Sequence, residues 1–136
     1  MADAVFQLKV FSGRGLEFES PATSVVLKSA VGEIGFLAGH REYVGLLSTG
    51  IAECVTDAGE TVRFVAAGGV CTFKDEVLTL LADTVDLKES ADMGVLKQDE
   101  SLLATELEGL SLFDPEWEVV SQKLARIQSV RELVAE

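Results

Sequence analysis

Histidine, cysteine and basic residues are all scarce in this chain of 136 residues, and each shortage closes off a class of function. One histidine, His40, and two cysteines, Cys54 and Cys71, leave few groups for nucleophilic or metal chemistry. The cysteines form neither a C-x-x-C nor a Cys/His spacing that zinc requires, and they are too few for a disulfide framework. Lys and Arg total 11 against 23 Asp and Glu, a net charge of −12. Such a surface repels phosphate backbones and anionic headgroups, which excludes nucleic-acid binding and electrostatic membrane binding. No run of about 18 uncharged apolar residues occurs, so no direct insertion into lipid is expected. The opening Met1–Val10 lacks both a basic start and an apolar run of signal length. A reducing cytoplasm and protein partners, especially ones with basic patches, are the expectation.

What the sequence does hold is glycine, unevenly placed. Ten of its 12 glycines precede residue 88. The same stretch reads in short alternating runs: Phe6, Leu8, Val10; then Leu16, Phe18; then Val62, Phe64, Ala66. Val77–Leu81 is more continuously apolar, as in a strand buried on both faces. Alternation interrupted by turn residues predicts strands near 4–11, 14–19, 22–29, 32–37, 43–48, 50–56, 61–66, 69–74, 76–81 and 84–87. Asp57–Glu60 and Lys74–Asp75 supply hairpin turns. So many short strands cannot hide a core as one flat sheet, which predicts a ten-stranded β-sandwich or flattened barrel over residues 1–87. Three glycines among bulky residues in Gly32–His40 suggest a bent strand, or a place where the backbone approaches something closely.

After residue 88 the period changes, making the chain mainly β with an α appendage over residues 88–136. Ser90 or Asp92 can cap a helix over 92–108 whose stripe is Leu96, Leu103, Leu107 and Leu110, with Gly109 as its C′ residue. Asp114 and Pro115 open a second helix over 114–135, where Trp117, Val120, Leu124, Ile127, Val130 and Val134 recur every three or four residues. The short linker folds the two back as a C-terminal antiparallel two-helix hairpin. Its apolar stripes must face each other, the sandwich or another chain.

Catalytic machinery is hard to assemble from these residues. A Cys–His nucleophile pair would have to use His40, whereas two buried thiols and a loop histidine bonded to backbone explain the same residues. Asp75-Glu76 and Asp99-Glu100 lack the spacing of a calcium loop, and neither Gly68-Gly69 nor Gly13-Arg14-Gly15 has the lysine of a phosphate loop. No catalytic residue, metal or cofactor is expected. Two readings remain: a protein-binding subunit, or a free-standing binding module or hydrolase using the Glu33–His40 loop.

Four segments in order carry a family resemblance. Gly32-Glu33-Ile34-Gly35-Phe36-Leu37-Ala38-Gly39-His40 resembles the G-E-x-G-x-x-P-G-H signature of the epsilon subunit of the F-type ATP synthase. Leu8-Lys9-Val10-Phe11-Ser12 resembles that family's first strand. Phe64–Val70 and Val77–Thr84 resemble its later strands, and the helical hairpin follows where the family has one. The resemblance implies a non-catalytic rotor subunit of the central stalk, at the cytoplasmic face of the bacterial inner membrane. Its partners would be the gamma subunit, the membrane rotor ring and the catalytic alpha and beta subunits. It would help couple proton or sodium flow to ATP synthesis. Position by position, it implies that Glu33, Ile34, Gly35, Phe36, His40 and Arg41 meet the ring and gamma. It implies that the hairpin, through Trp117, Val120, Lys123, Leu124, Arg126, Ile127 and Arg131, docks and restrains ATP hydrolysis.

The chain departs from the family in two places. Ala38 replaces the usual proline, and Arg41-Glu42 puts charges where small and rigid residues are typical. The nucleotide motif I/L-D-x-x-R-A falls on Ala91–Leu96, where Val95 stands for the arginine. A valine cannot neutralise phosphate, so no nucleotide binding is expected.

Overall fold

The structure, a computed structural model, describes residues 4–135, apart from the side chain of Ser90, so that residue's capping role lies outside the described residues. Its strands are β1 Phe6–Ser12, β2 Gly15–Ser29, β3 Gly32–Leu37, β4 Tyr43–Leu46, β5 Gly50–Thr56, β6 Thr61–Lys74 and β7 Val77–Leu87. Two helices follow, α1 Met93–Glu108 and α2 Pro115–Ala135.

The ten expected strands are thus seven among the described residues, because three neighbouring pairs are each one long strand. The long strands β2, β6 and β7 each serve both layers. In one layer, β4, the second half of β6, the first half of β7, β1 and the first half of β2 pair side by side. In the other, β3, the second half of β2, β5, the first half of β6 and the second half of β7 do so. Five segments face five, and the ten-segment sandwich survives with fewer strands. The chain turns from layer to layer without breaking its ladders. In β2 the register shifts between Ala22 and Ser24. In β6 the bend falls at Gly68 (φ 65°) and Gly69 (φ 117°). A Cβ on Gly69 would collide with the Leu81 carbonyl oxygen, so glycine is required there.

Between the layers Phe6, Leu8, Val10, Val25, Leu27, Phe36, Cys54, Phe64, Cys71, Phe73, Leu78 and Leu80 form one buried core. Three expectations about facing need correction. Leu16 and Phe18 do not share a face: Phe18 pairs with Val10 but Leu16 with Phe11, so a bulge at Glu17 reverses the alternation. Leu16 is exposed as a result. The run Val77–Leu81 is not buried on both faces; Leu78 and Leu80 point inward and Leu81 outward. Val65 is buried like Phe64, although the two point opposite ways, because a helix covers the outer side.

That helix is α2. Val65 packs with Leu96, Ile127, Val130 and Leu133, with Ile51 and Leu103 at the margin. Leu96 lies near the start of α1 and Ile127–Leu133 near the end of α2, so the helices run antiparallel. Asp92 caps α1, its Oδ1 accepting the Val95 N–H at 3.2 Å. Gly109 ends α1 but stays right-handed, φ −83°, rather than taking the left-handed C′ conformation. The Asp114 carboxylate reaches back to the Ser111 N–H at 2.8 Å and closes the turn, while its carbonyl accepts the Trp117 N–H.

Candidate functional site

The glycine-rich segment is straighter than its composition suggests. β3 pairs with β2 in unbroken register from Ser24↔Leu37 to Ser29↔Gly32, so Gly35 sits in a regular strand and no bulge forms. The conformational freedom of glycine is used at the two ends, Gly32 (φ 120°) and Gly39 (φ 83°), where the chain turns. Strand alternation then decides what the segment offers. Glu33, Gly35 and Arg41 are exposed, Ile34 and His40 are half-buried, and Phe36 is fully buried. Phe36 is therefore no contact residue; it stacks on Phe73 (5.8 Å, 9°) and supports the loop from beneath.

His40 belongs to the same aromatic cluster. Its ring lies 4.7 Å from Phe36 and 5.4 Å from Phe73, and it meets Tyr43 edge-on. Nδ1–H donates to the Arg41 carbonyl at 2.7 Å, so the imidazole is packed and oriented by structure. Across from it, the turn Asp75–Glu76 sends the Glu76 carboxylate to the Gly39 N–H, at 2.9 and 3.1 Å. Both turn residues have positive φ, 52° and 60°, a conformation that glycine or asparagine adopts more easily. Cys54 and Cys71 are fully buried. Burial pushes the Cys54 thiol up to about 11 and raises Cys71 too, holding both in the unreactive neutral form.

The two outer faces of the sandwich differ. Ile51 and Val65 on the β5–β6 face lie under α2. On the opposite face, the pairings Leu46↔Val70, Val70↔Leu81, Leu81↔Phe11 and Phe11↔Leu16 align five apolar side chains straight across five strands. Leu46 is 62% exposed, Leu81 52% and Leu16 53%. The next rows hold Val44, Thr72, Thr79, Lys9 and Glu19, then Lys74, Val77, Gln7 and Pro21. In a chain with 23 acidic residues, those rows carry one carboxylate. Apolar rows cleared of like charge mark protein-binding surfaces more than solvated ones.

Two of the three basic residues expected to dock, Arg126 and Arg131, are already paired within the chain. Arg126 Nε and Nη2 each donate at 2.7 Å to the two oxygens of Asp86 on β7. That bidentate partner, with Asp99 adding its field, holds the guanidinium more firmly protonated. Arg131 Nη1 donates at 2.7 Å to Glu100 on α1. Among the other residues expected to dock, Val120 and Ile127 are buried, Trp117 and Leu124 half-buried, and Lys123 exposed. Between hairpin and sandwich runs a groove of about 840 Å³, which brings Asp83, Asp99 and Glu118 against Lys123 and Arg126. Val95 stands exposed at the start of α1, and Asp92 is occupied as its cap. Sequence reasoning missed Asp86, Leu133 and the five-residue apolar row. Only strand register could have revealed the row, since its members are scattered from residue 11 to 81.

Comparison with known proteins agrees with this architecture. The sequence model of the family described as ATP synthase, Delta/Epsilon chain, beta-sandwich domain matches residues 5–88. The ATP synthase epsilon chain of Acinetobacter baumannii (strain AYE) is 33% identical over 107 residues, 76% of this chain and 77% of that one. That of Psychrobacter sp. (strain PRwf-1) is 28% identical over 132 residues, 94% and 95% of the two chains. A chain of the Euglena gracilis mitochondrial ATP synthase, solved with its c-ring, superposes with a TM-score of 0.78 at 19% identity, over 98% of this chain and 84% of that one. One from the central stalk and c-ring of the Tetrahymena thermophila enzyme gives 0.64 at 7% identity, over 98% and 99%. At these identities the structural likeness is one of fold.

Proposed function

The chain belongs to the delta/epsilon chain family of ATP synthase, and from that membership we propose that it is a non-catalytic rotor subunit of the central stalk. In this reading residues 1–87 dock on the gamma subunit and stand on the membrane ring, coupling ion flow to ATP synthesis. Residues 88–136 form a regulatory hairpin that can meet the catalytic subunits and restrain hydrolysis. The complex holds the chain at the cytoplasmic side of the membrane.

The observation that carries the reading is the uncovered apolar row Leu46–Val70–Leu81–Phe11–Leu16. A solvated sheet face would alternate to polar residues here, as the acidic remainder of the chain does. We assign gamma to this face. Glu33, Ile34, Gly35, His40 and Arg41 at the β3 end are assigned to the ring; the loop is held from within by Phe36 and from the side by Glu76. The groove under the hairpin is assigned no nucleotide. Its carboxylates outnumber its cations, and Arg126 is already paired. A free-standing hydrolase is the weaker reading, because the thiols are buried and the one histidine is packed.

Affinity purification of the tagged chain from membranes of its source cells tests the assignment. Gamma and the catalytic subunits should come with it in fixed proportion. Recovery of the chain without them would overturn the reading.

A further inference from the structure

Among the described strands, Gly35 is the one glycine that the chain itself does not require. Gly15, Gly32, Gly68 and Gly69 take positive φ. Gly45 and Gly50 have ordinary φ but are covered by long side chains, the Tyr43 ring and the Lys28 stem, with which a Cβ would collide. Gly35, in the middle of β3, has neither reason: a Cβ there would meet only Val26 Cγ2 at 3.9 Å and the Val25 carbonyl oxygen at 4.0 Å, ordinary contacts. Glycine weakens a strand interior, and it often marks a close approach from outside. The strand around Gly35 is also open. β3 ends the sheet and pairs on one side only, with β2. Their hairpin closes at Ser29↔Gly32 and bonded pairs alternate from there, so Glu33, Gly35 and Leu37 turn their N–H and C=O groups away from β2. Consistently, the carbonyl of Lys28, opposite Glu33, faces away from β3 and accepts the Ser48 N–H at 3.0 Å. The Leu37 carbonyl accepts the His40 N–H at 3.1 Å; among the described residues nothing takes the rest. The other free edges are guarded. The outer side of β2 carries Glu17, Glu19 and Pro21, and the far half of β7 carries Asp83 and Asp86. β4 is four residues long and is tied at its end, where the Leu46 carbonyl accepts the Ala30 N–H.

We propose that the free edge of β3 takes an extended segment of another subunit as an added strand, and that a bulky side chain of that segment lies over Gly35 as Tyr43 lies over Gly45. This rests on the reading that the β3 end faces another subunit; it adds how the two are joined and what the segment carries. The added strand exchanges hydrogen bonds with Glu33 and Gly35 and accepts one from the Leu37 N–H. Glu33, Gly35 and Leu37 project from one face and are exposed, Leu37 to 63%. The segment's matching face therefore bears a basic side chain opposite Glu33, an aromatic or long one opposite Gly35 and an apolar one opposite Leu37, each two positions from the next. Lys28 does not supply the basic partner from within, because its stem is turned over Gly50.

Amide exchange at single-residue resolution, in the purified full chain and in the ATP synthase that contains it, tests the added strand. In the free chain the Glu33, Gly35 and Leu37 amides should exchange quickly, while those of Ile34 and Phe36, bonded to β2, exchange slowly. Slow exchange at all five means that the edge is not open and overturns the proposal. In the complex the first three should slow by at least about a hundredfold. Fast exchange there, in a complex that holds gamma in fixed proportion, overturns the added strand and leaves the stalk reading standing. A chain recovered without gamma or the catalytic subunits overturns both. Gly35→Val tests the cover on the glycine. It fills space that is empty in the free chain, so the melting point should hold or rise, while the parent should outcompete the variant for the complex by at least about tenfold. Should valine lower the melting point, Gly35→Ala, whose Cβ has only ordinary contacts, makes the same comparison with the same direction of effect. Equal incorporation of a fully stable variant overturns the role of Gly35.

Discussion

Truncating Ile127 to alanine should release the hairpin without melting the sandwich. Ile127 is 1% exposed and sits at the centre of the small cluster formed by Val65, Leu96, Val130 and Leu133. Burial that complete makes Ile→Ala expensive, but Ile51, Met93 and Leu103 at its margin are only half-buried and can close in. That places the loss near the lower end of the usual range, about 2–3 kcal/mol. Among the described residues, Val130 and Leu133 stay packed with Val65, and the Arg126–Asp86 pair and the exposed Thr49–Gln122 bond are kept. Two kcal/mol changes the closed-to-open ratio by about thirtyfold. Native-state hydrogen exchange reads this directly: amides of α2 should lose about that much protection, while those of Leu78 and Leu80 keep theirs. Phe64 makes the contrast. It is the neighbour of Val65 on β6 but points into the core, fully buried, so Phe64→Ala should cost about 3–5 kcal/mol and lower protection throughout. Equal loss of protection in α2 and in the β7 core after Ile127→Ala would refute the separation of the hairpin seam from the sandwich core.

Glu33→Lys puts a lysine across from Lys28 at an exposed position, costing about 0.2–1 kcal/mol, so the sandwich should stay folded while ion-driven ATP synthesis falls; normal synthesis would remove Glu33 from the ring contact. Glu76→Gly relieves a positive φ but releases the Gly39 amide, two opposing effects of about 1 kcal/mol each, so the melting point should barely move while the Gly39 amide exchanges faster. Cys54 and Cys71 should resist thiol reagents at neutral pH until the chain unfolds. Because Cys54 keeps its proton in the fold up to about 11, while an exposed thiol gives its proton up near 9.0, stability should decline as pH rises through that interval and be unaffected below it. A denaturation series from about pH 8 to about pH 11 on Cys54→Ala beside the parent checks the sign.

The layered β fold with a trailing hairpin was legible because strand alternation and helical spacing are local. The number of strands was not: Gly68-Gly69 looks like a break in sequence, yet it bends one continuous β6 whose ladder with β7 keeps its register. A single bulge at Glu17 sent Leu16 outward, which no count of alternating residues could foresee. Family resemblance found the Gly32–His40 loop, but only the strand's alternation showed that Phe36 faces inward. Asp86 was out of reach for a different reason. It is an ordinary acidic residue near the end of a strand until the fold brings Arg126, forty positions later, against it. Arg126 and Arg131 of α2 could not be seen as paired in the sequence because their acceptors, Asp86 and Glu100, lie on other elements.

The assignment of the bare face to gamma is the claim on which the rest depends, and calorimetry of the purified chain against purified gamma tests it most directly. Leu81→Asp places a charge at the centre of the apolar row on a side chain already 52% exposed, so the fold should tolerate it. Leu112→Asp, in the loop between the helices and 71% exposed, serves as the matched control. The account predicts that Leu81→Asp weakens gamma binding by at least about a hundredfold, as burying an unpaired carboxylate in an interface should, while Leu112→Asp binds like the parent. Parental affinity in Leu81→Asp, with its melting point unchanged, would contradict it.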